Sequence, residues 1–320
     1  MSQVWRHLEL EKGLRVRAVA NYGRLGLVLL FGWAASYDRD DDLAEFRSWV
    51  ESTPFASCVF SSIMTSSLDE KLYFEALVPI YATQFWSKLD KFAGSQDGLS
   101  IEYDIAKTLH WSLNMGICNG HSWEIPDVFT LLASIETVSS YVEVLPGPNP
   151  MDLSRIGHAS PEQLLLGLCI ERTYRMTATE AQRVFEEFEV RPPSLRTLRR
   201  RLSAFRATAS LPYVEIDNIG LTQRVIILVA EQPNRKRASL VLHAESGHFP
   251  STLTISGDRL TALELGLPEN FRLSALNTLM AETIGNSADV SVLAIPDGVK
   301  RKGLEQVVPY LLRSPGAPMR

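Results

Sequence analysis

The densest chemistry in this sequence lies in the stretch RPPSLRTLRRRLSAFR, residues 191 to 206, which holds six arginines and no acid. A guanidinium is always charged, and its planar fork fits phosphate oxygens and guanine edges. At about 100° per residue, Leu195, Leu198, Leu202 and Phe205 form one apolar stripe. Arg196, Arg200 and Ser203 point away from that stripe with Thr197 beside them, and Arg199, Arg201 and Arg206 line its flanks. A helix that only faces water usually mixes signs to gain i,i+4 pairs. An all-positive face repels itself until a polyanion neutralises it, so the pattern points to nucleic acid. Ser194 is the expected N-cap and is counted with the expected nucleic-acid contacts. Arg199, Arg200 and Arg206 are the expected phosphate contacts, with Arg201 on the same basic surface, and Arg196 and Thr197 are the expected base-edge readers.

Other clusters are weaker. YDRDDD (37–42) gathers four acids, but they open a helix, where the macrodipole favours negative charge. His110, Cys118 and His121 are metal-ligand types, yet a fourth ligand is missing nearby and the spacing matches no zinc finger. Neither a metal nor a cofactor is expected. Nucleophile elbow, P-loop, dinucleotide fingerprint and HExxH are all absent. Ser61, Ser62, Ser66 and Ser67 have no identifiable base, so the chain is expected not to be an enzyme. Trp33, Trp49, Phe85, Trp86 and Phe92 could stack bases, but their positions suit a core.

The composition supports a globular protein: 320 residues, 45% apolar and 22% charged, net charge −5. The acidic sum argues against a basic coat that binds nucleic acid everywhere, but it permits one local basic surface. The apolar stretch from Leu25 to Ala35 falls well short of the ~20 residues that span a bilayer. Charges in the opening residues leave no room for an export signal. Three widely spaced cysteines, Cys58, Cys118 and Cys169, favour a reducing cytoplasm.

The elements that must position the basic helix can be read from periodicity. RLGLVLLFGWAA (24–35) is strand-like, DDDLAEFRSWVESTP (40–54) helical, and 56–67 and 71–80 are strands joined by SLDE. ATQFWSKLDKFAG (82–94) is a helix and LSIEYDIAKTLHW (99–111) a last strand. This β-α-β-β-α-β order predicts a ferredoxin-like sheet. A helix is expected within 125–145, and PGPNP (146–150) reads as a protease-sensitive linker. Helices follow at 160–175, with Ser160 and Pro161 at its start, at 177–188, with Thr177 and Glu180 as a capping box, and at 194–207. The last third repeats the first: strand 223–231, helix 235–245, strands 251–258 and 259–266, helix 271–285, strand 288–296. A final helix, GLEQVVPYLLR, closes the chain. LRVRAVANYGRLGLVLLF and LPYVEIDNIGLTQRVIILV share a layout of short strand, Asn or Asp, Gly-Leu and apolar strand, which suggests duplication of a whole module.

A three-helix unit with a basic third helix, a short strand ending in NIGL and a ferredoxin-like unit resembles the Lrp/AsnC family of prokaryotic, especially archaeal, transcription regulators. Residues 160 to 296 are similar to one complete unit, and residues 4 to 111 to a second that has lost the first two helices of its reading head. The resemblance implies an α+β chain in which two ferredoxin-like βαββαβ domains flank a central (winged) helix-turn-helix. Its divisions are a remnant head and linking strand (1–23), a first RAM-like domain (24–113), a connector (114–150), the helix-turn-helix (151–212), a second RAM-like domain (213–298) and a C-terminal helix and tail (299–320). It further implies a DNA-binding regulator acting on double-stranded DNA as a homodimer, with the ferredoxin-like units pairing and sensing a small effector. A rival reading keeps the scaffold as an interaction protein that binds RNA or a ribosomal subunit, or bridges proteins.

Overall fold

The computed structural model describes residues 13–36, 40–63, 70–94, 98–119, 122–126, 130, 151–152, 158–217, 219–230, 248–276, 278 and 290–313. In chain order the strands and helices are β1 (Arg15–Arg17), β2 (Leu27–Ser36), α1 (Asp40–Ser52), β3 (Ala56–Ile63), β4 (Glu70–Pro79), α2 (Thr83–Ala93), β5 (Leu99–Ile105) and β6 (Thr108–Leu113). Then come α3 (Pro161–Arg172), α4 (Ala178–Glu187), α5 (Leu195–Arg206), β7 (Tyr213–Glu215), β8 (Leu221–Ala230), β9 (Ser251–Ser256), β10 (Leu260–Pro268), β11 (Val290–Ala294) and α6 (Leu304–Arg313). The expected connector helix, the PGPNP linker, the helix at 235–245 and most of that at 271–285 lie outside the described residues; 273–276 are helical.

The fold is α+β with two antiparallel sheets of ferredoxin-like order. One runs β3-β4-β2-β5, and the other runs β11-β8-β10-β9 with β6 added at its edge. In β2 every residue but the last is buried, as the unbroken run LVLLF requires. One face of the first sheet packs under α1 and α2. There Phe46 meets Phe74 and Phe92 edge-on at 5.3 Å each, and Trp49 meets Phe85 at 5.2 Å. The same buried cluster continues into the second half through Ile226, Leu228, Leu253 and Leu293. Trp33 and Phe85 are buried, and Trp49, Trp86 and Phe92 pack partly buried against this cluster.

Gly32 faces Tyr103 across the β2–β5 ladder. A Cβ there would lie 2.2 Å from the Glu102 carbonyl oxygen and 2.7 Å from the Tyr103 Cα. Both obstacles are backbone, so neither can swing aside. Gly32→Ala is expected to destabilise the chain by about 2 kcal/mol or more, read as a lower urea midpoint at unchanged slope.

The single strand expected at 99–111 is two strands in two sheets. Ala106 N–H donates to the Leu29 carbonyl in the first sheet, and the next amide, Lys107 N–H, donates to Ser256 in the second, both at 2.8 Å. Asp104 fixes the crossing by accepting the backbone amides of Arg259 and Leu260 at 2.5 and 3.2 Å. A strand shared between sheets keeps the same alternation, so periodicity could not locate the break.

The halves also join through their linking strands. β1 and β7, which head the two similar stretches, pair antiparallel with Val16 opposite Val214. Pairing of the two units thus occurs within one chain. Between the sheets lies a charged cluster. Arg301 donates to both oxygens of Glu75, at 2.7 to 2.9 Å, and also bonds Glu264. Arg224 donates to Glu264 at 2.7 and 2.9 Å, and Tyr73 O–H to Glu75 at 2.6 Å. Glu75 and Glu264 hold equivalent places: each lies mid-way along the third strand of its unit, four residues before a proline, in EALVP and ELGLP. One arginine from the C-terminal segment therefore bridges the two repeats.

Among the described residues no helix is long and apolar enough to cross a membrane.

Candidate nucleic-acid interface

Helices α3, α4 and α5 form a three-helix unit whose starts are set by local side chains. Ser160 accepts from Gln163 N–H while Gln163 caps Ser160 N–H, and Pro161 follows. Thr177 and Glu180 form the second capping box. Ser194 caps α5, accepting from Thr197 N–H at 3.3 Å. These three starts agree with the sequence expectation. Helix α3 is the hub: every residue from Leu164 to Ile170 is buried. Gly167 allows it to approach Leu25 and Leu304, whose methyls would sit 3.0 Å from an added Cβ. The turn from α4 to α5 carries Glu189 in the left-handed region at φ 57°, with Val190 N–H closing onto the Phe185 carbonyl.

Two residues at the end of α3 tie the unit to the rest of the chain. Arg172 grips Glu187 of α4 with two nitrogens, at 2.6 and 2.8 Å, and Glu305 of α6 at 2.5 and 2.9 Å. Glu171 accepts from the backbone amides of Ala20 and Leu304, at 3.4 and 3.0 Å, in the first half and in α6. Burial pushes its carboxyl up to about 7, and these donors offset part of that rise. A carboxyl raised above its unfolded value binds its proton more tightly when folded. Its contribution is therefore complete below about 4.5 and is lost as pH rises through about 7. Unfolding free energy is expected to decline by up to roughly 3 kcal/mol over that window from this group. Glu171→Gln should flatten the decline in urea titrations at stepped pH.

The basic helix divides into engaged and free cations. Arg206, expected to contact phosphate, donates instead to the Tyr174 and Met176 carbonyls at 2.7 and 2.5 Å and lies over the Tyr174 ring. These carbonyls sit in the turn after α3, where helix bonding no longer satisfies them. Arg201 pairs with Glu162 of α3. Arg196, Arg199 and Arg200 are exposed and have no acidic partner among the described residues. The Thr197 hydroxyl lies 3.0 Å from that of Ser194.

Leu198 and Leu202 are buried as the stripe predicts, and Phe205 packs partly. Leu195 departs from the expectation: it is 43% exposed. The first helical residue, it lies at the rim of a groove of about 510 Å³ between residues 174–179 and α5. Met176 and Ala178 give this groove apolar surface, Arg175, Arg199 and Arg206 give it charge, and no carboxylate lines it among the described residues. Sequence reasoning missed both the groove and the exposure of Leu195. Helical spacing alone assigns Leu195 to the core, because it carries no information on where the neighbouring helices end.

The other clusters fall in ordinary places. Asp41 and Asp42 are in the first turn of α1, with 37–39 outside the described residues. His110 is on β6 and Cys118 bridges to Trp123, while His121 lies outside the described residues. Ser61 and Ser62 are on β3. Cys58 sits beside the Glu75–Arg301 cluster, and burial pushes its thiol up to about 12.

No family model matches the sequence, and no curated protein matches it. Three solved structures are similar in shape. Siroheme decarboxylase NirDL in complex with an iron-uroporphyrin III analogue shares 12% identity at a TM-score of 0.49, covering 97% of this chain and 86% of that one. The same enzyme's structure without mention of the analogue shares 11% at 0.47 with equal coverage. An anthrone oxidase-like protein shares 7% at 0.35, covering 90% of this chain and 97% of that one. These neighbours correct the expectation that the chain is not an enzyme: two of the three are structures of a decarboxylase. The physical reason is that a pocket assembled from distant residues leaves no local motif, so a motif search cannot exclude catalysis.

Proposed function

We propose that α3, α4 and α5 act as a helix-turn-helix and that the chain is a DNA-binding transcription regulator of the Lrp/AsnC type. The observation that carries this reading is the division of the arginines. Arg201 and Arg206 are held by the unit itself, whereas Arg196, Arg199 and Arg200 stand together on the exposed face of α5 without an acidic partner among the described residues. Three unneutralised guanidiniums on one rigid helix suit a polyanion with regularly spaced phosphates. The N-terminal part of such a helix meets base edges in the major groove while its flanks meet the backbone. In this reading residues 151–212 are the reading head, and residues 24–113 and 213–298 are the paired ferredoxin-like units. The described residues hold one such head, so a homodimer is needed to read two half-sites.

Fluorescence anisotropy with a labelled DNA duplex at several salt concentrations tests the proposal. The expected result is an affinity that falls linearly with salt on logarithmic axes, by about 0.9 per phosphate contact. A flat salt dependence, or equal retention of an unrelated acidic protein, would remove DNA as the ligand. Preferential capture of ribosomal subunits from a lysate would favour an RNA partner instead.

A further inference from the structure

We propose that Leu195 is a specificity-determining residue that packs on the C5-methyl group of a thymine facing the first turn of α5. The inference rests on the DNA-reading function above and names what that surface selects.

Its basis is the chemistry around Leu195. The next two leucines of the stripe, Leu198 and Leu202, are fully covered, while Leu195 keeps 43% of its surface open. The two hydroxyls nearest to it are engaged with each other. The Ser194 hydroxyl accepts from Thr197 N–H and lies 3.0 Å from the Thr197 hydroxyl. At this end of α5, Leu195 is therefore the apolar group on display, with Arg196 and Arg199 exposed beside it. A lone exposed leucine would mean little. Here it forms the rim of a groove of about 510 Å³ that bears arginines and, among the described residues, no carboxylate. Such a surface suits a partner that is anionic overall and carries a small apolar projection. In duplex DNA that projection is the thymine methyl, the single apolar group that a base pair presents in the major groove. An acidic peptide would satisfy the charges but would place no methyl at a fixed distance from its anions.

The test uses the full-length chain and a duplex enriched from a random-sequence pool for binding to it. The duplex is prepared twice, once with thymidine and once with deoxyuridine, which keeps every hydrogen-bonding edge and loses only the methyl. Wild type should bind the deoxyuridine duplex roughly fourfold more weakly, the value of one buried methyl-sized group. Leu195→Ala should bind both duplexes equally, with the salt slope of wild type. Leu195→Met should retain part of the discrimination. Salt-dependent binding with no thymine preference in wild type would sink the Leu195 assignment and leave the DNA function standing. So would an alanine variant that still discriminates, since another residue would then read the methyl. Absence of salt-dependent binding to either duplex would overturn both proposals together.

Discussion

Exchanging Arg199 and Arg200 together for alanine is expected to weaken duplex binding roughly a hundredfold or more. Hydrogen bonds to charged groups contribute about 1.5 kcal/mol or more each, and two are lost. The slope of log affinity against log salt should fall by about 1.8, two contacts at about 0.9 each. The loss should be similar on all sequences, because phosphates carry no base identity. Arg196→Ala should behave differently, costing about 1–3 kcal/mol at the preferred site and little elsewhere. All three side chains are exposed and lack acidic partners among the described residues, so thermal melts should stay within about 0.5 kcal/mol of wild type. Arg206→Ala supplies the contrast. Its guanidinium holds the turn at Tyr174 and Met176, so its removal should lower the melting temperature. Variants at 199 and 200 that melt normally and bind as wild type does would show that the exposed arginines serve another partner.

Removing Arg301 should cause the largest loss of stability from any single side chain outside the apolar core. Its guanidinium lies between Glu75, which is 1% exposed, and Glu264. Burial raises the Glu264 carboxyl, but Arg301 and then Arg224 outweigh it and hold the group below its ordinary value. Arg301→Ala leaves Glu75 without its cation, and breaking a buried pair in this way costs about 3–5 kcal/mol. For a chain of this size the melting temperature should fall on the order of 10 °C. Replacing Glu75 and Glu264 by glutamine in the same chain should restore much of the loss, because the buried charge is gone. A carboxyl held low stabilises the fold above its unfolded value of about 4.5. That contribution disappears as pH falls through the depressed folded value, so the deficit of Arg301→Ala should shrink on acidification. A deficit that is constant with pH, or one not relieved by the glutamines, would show that Arg301 acts through packing alone.

How much of this was legible beforehand depends on the range of the interaction. Helix starts at Ser160, Thr177 and Ser194, the β-α-β-β-α-β order of the first unit and the strands of the second are written within a few neighbouring residues. Caps and alternation act across one turn or one pleat, so the sequence carries them openly. The basic face of α5 is legible for the same reason. Tertiary structure decided the rest. Which arginines remain free depends on Glu162 and on the carbonyls of Tyr174 and Met176, some 30 or more residues away in sequence. Whether Leu195 is covered depends on how residues 174–179 sit against α5. The transfer of β6 to the second sheet is fixed by Ser256 and Asp104, and Arg301 finds Glu75 across 226 residues. No periodic pattern encodes a partner at such separation, because the energy of a contact depends on distance in space and not along the chain. The one trace was the repeat itself: EALVP and ELGLP place two glutamates at equivalent points, but only the fold brings one arginine between them.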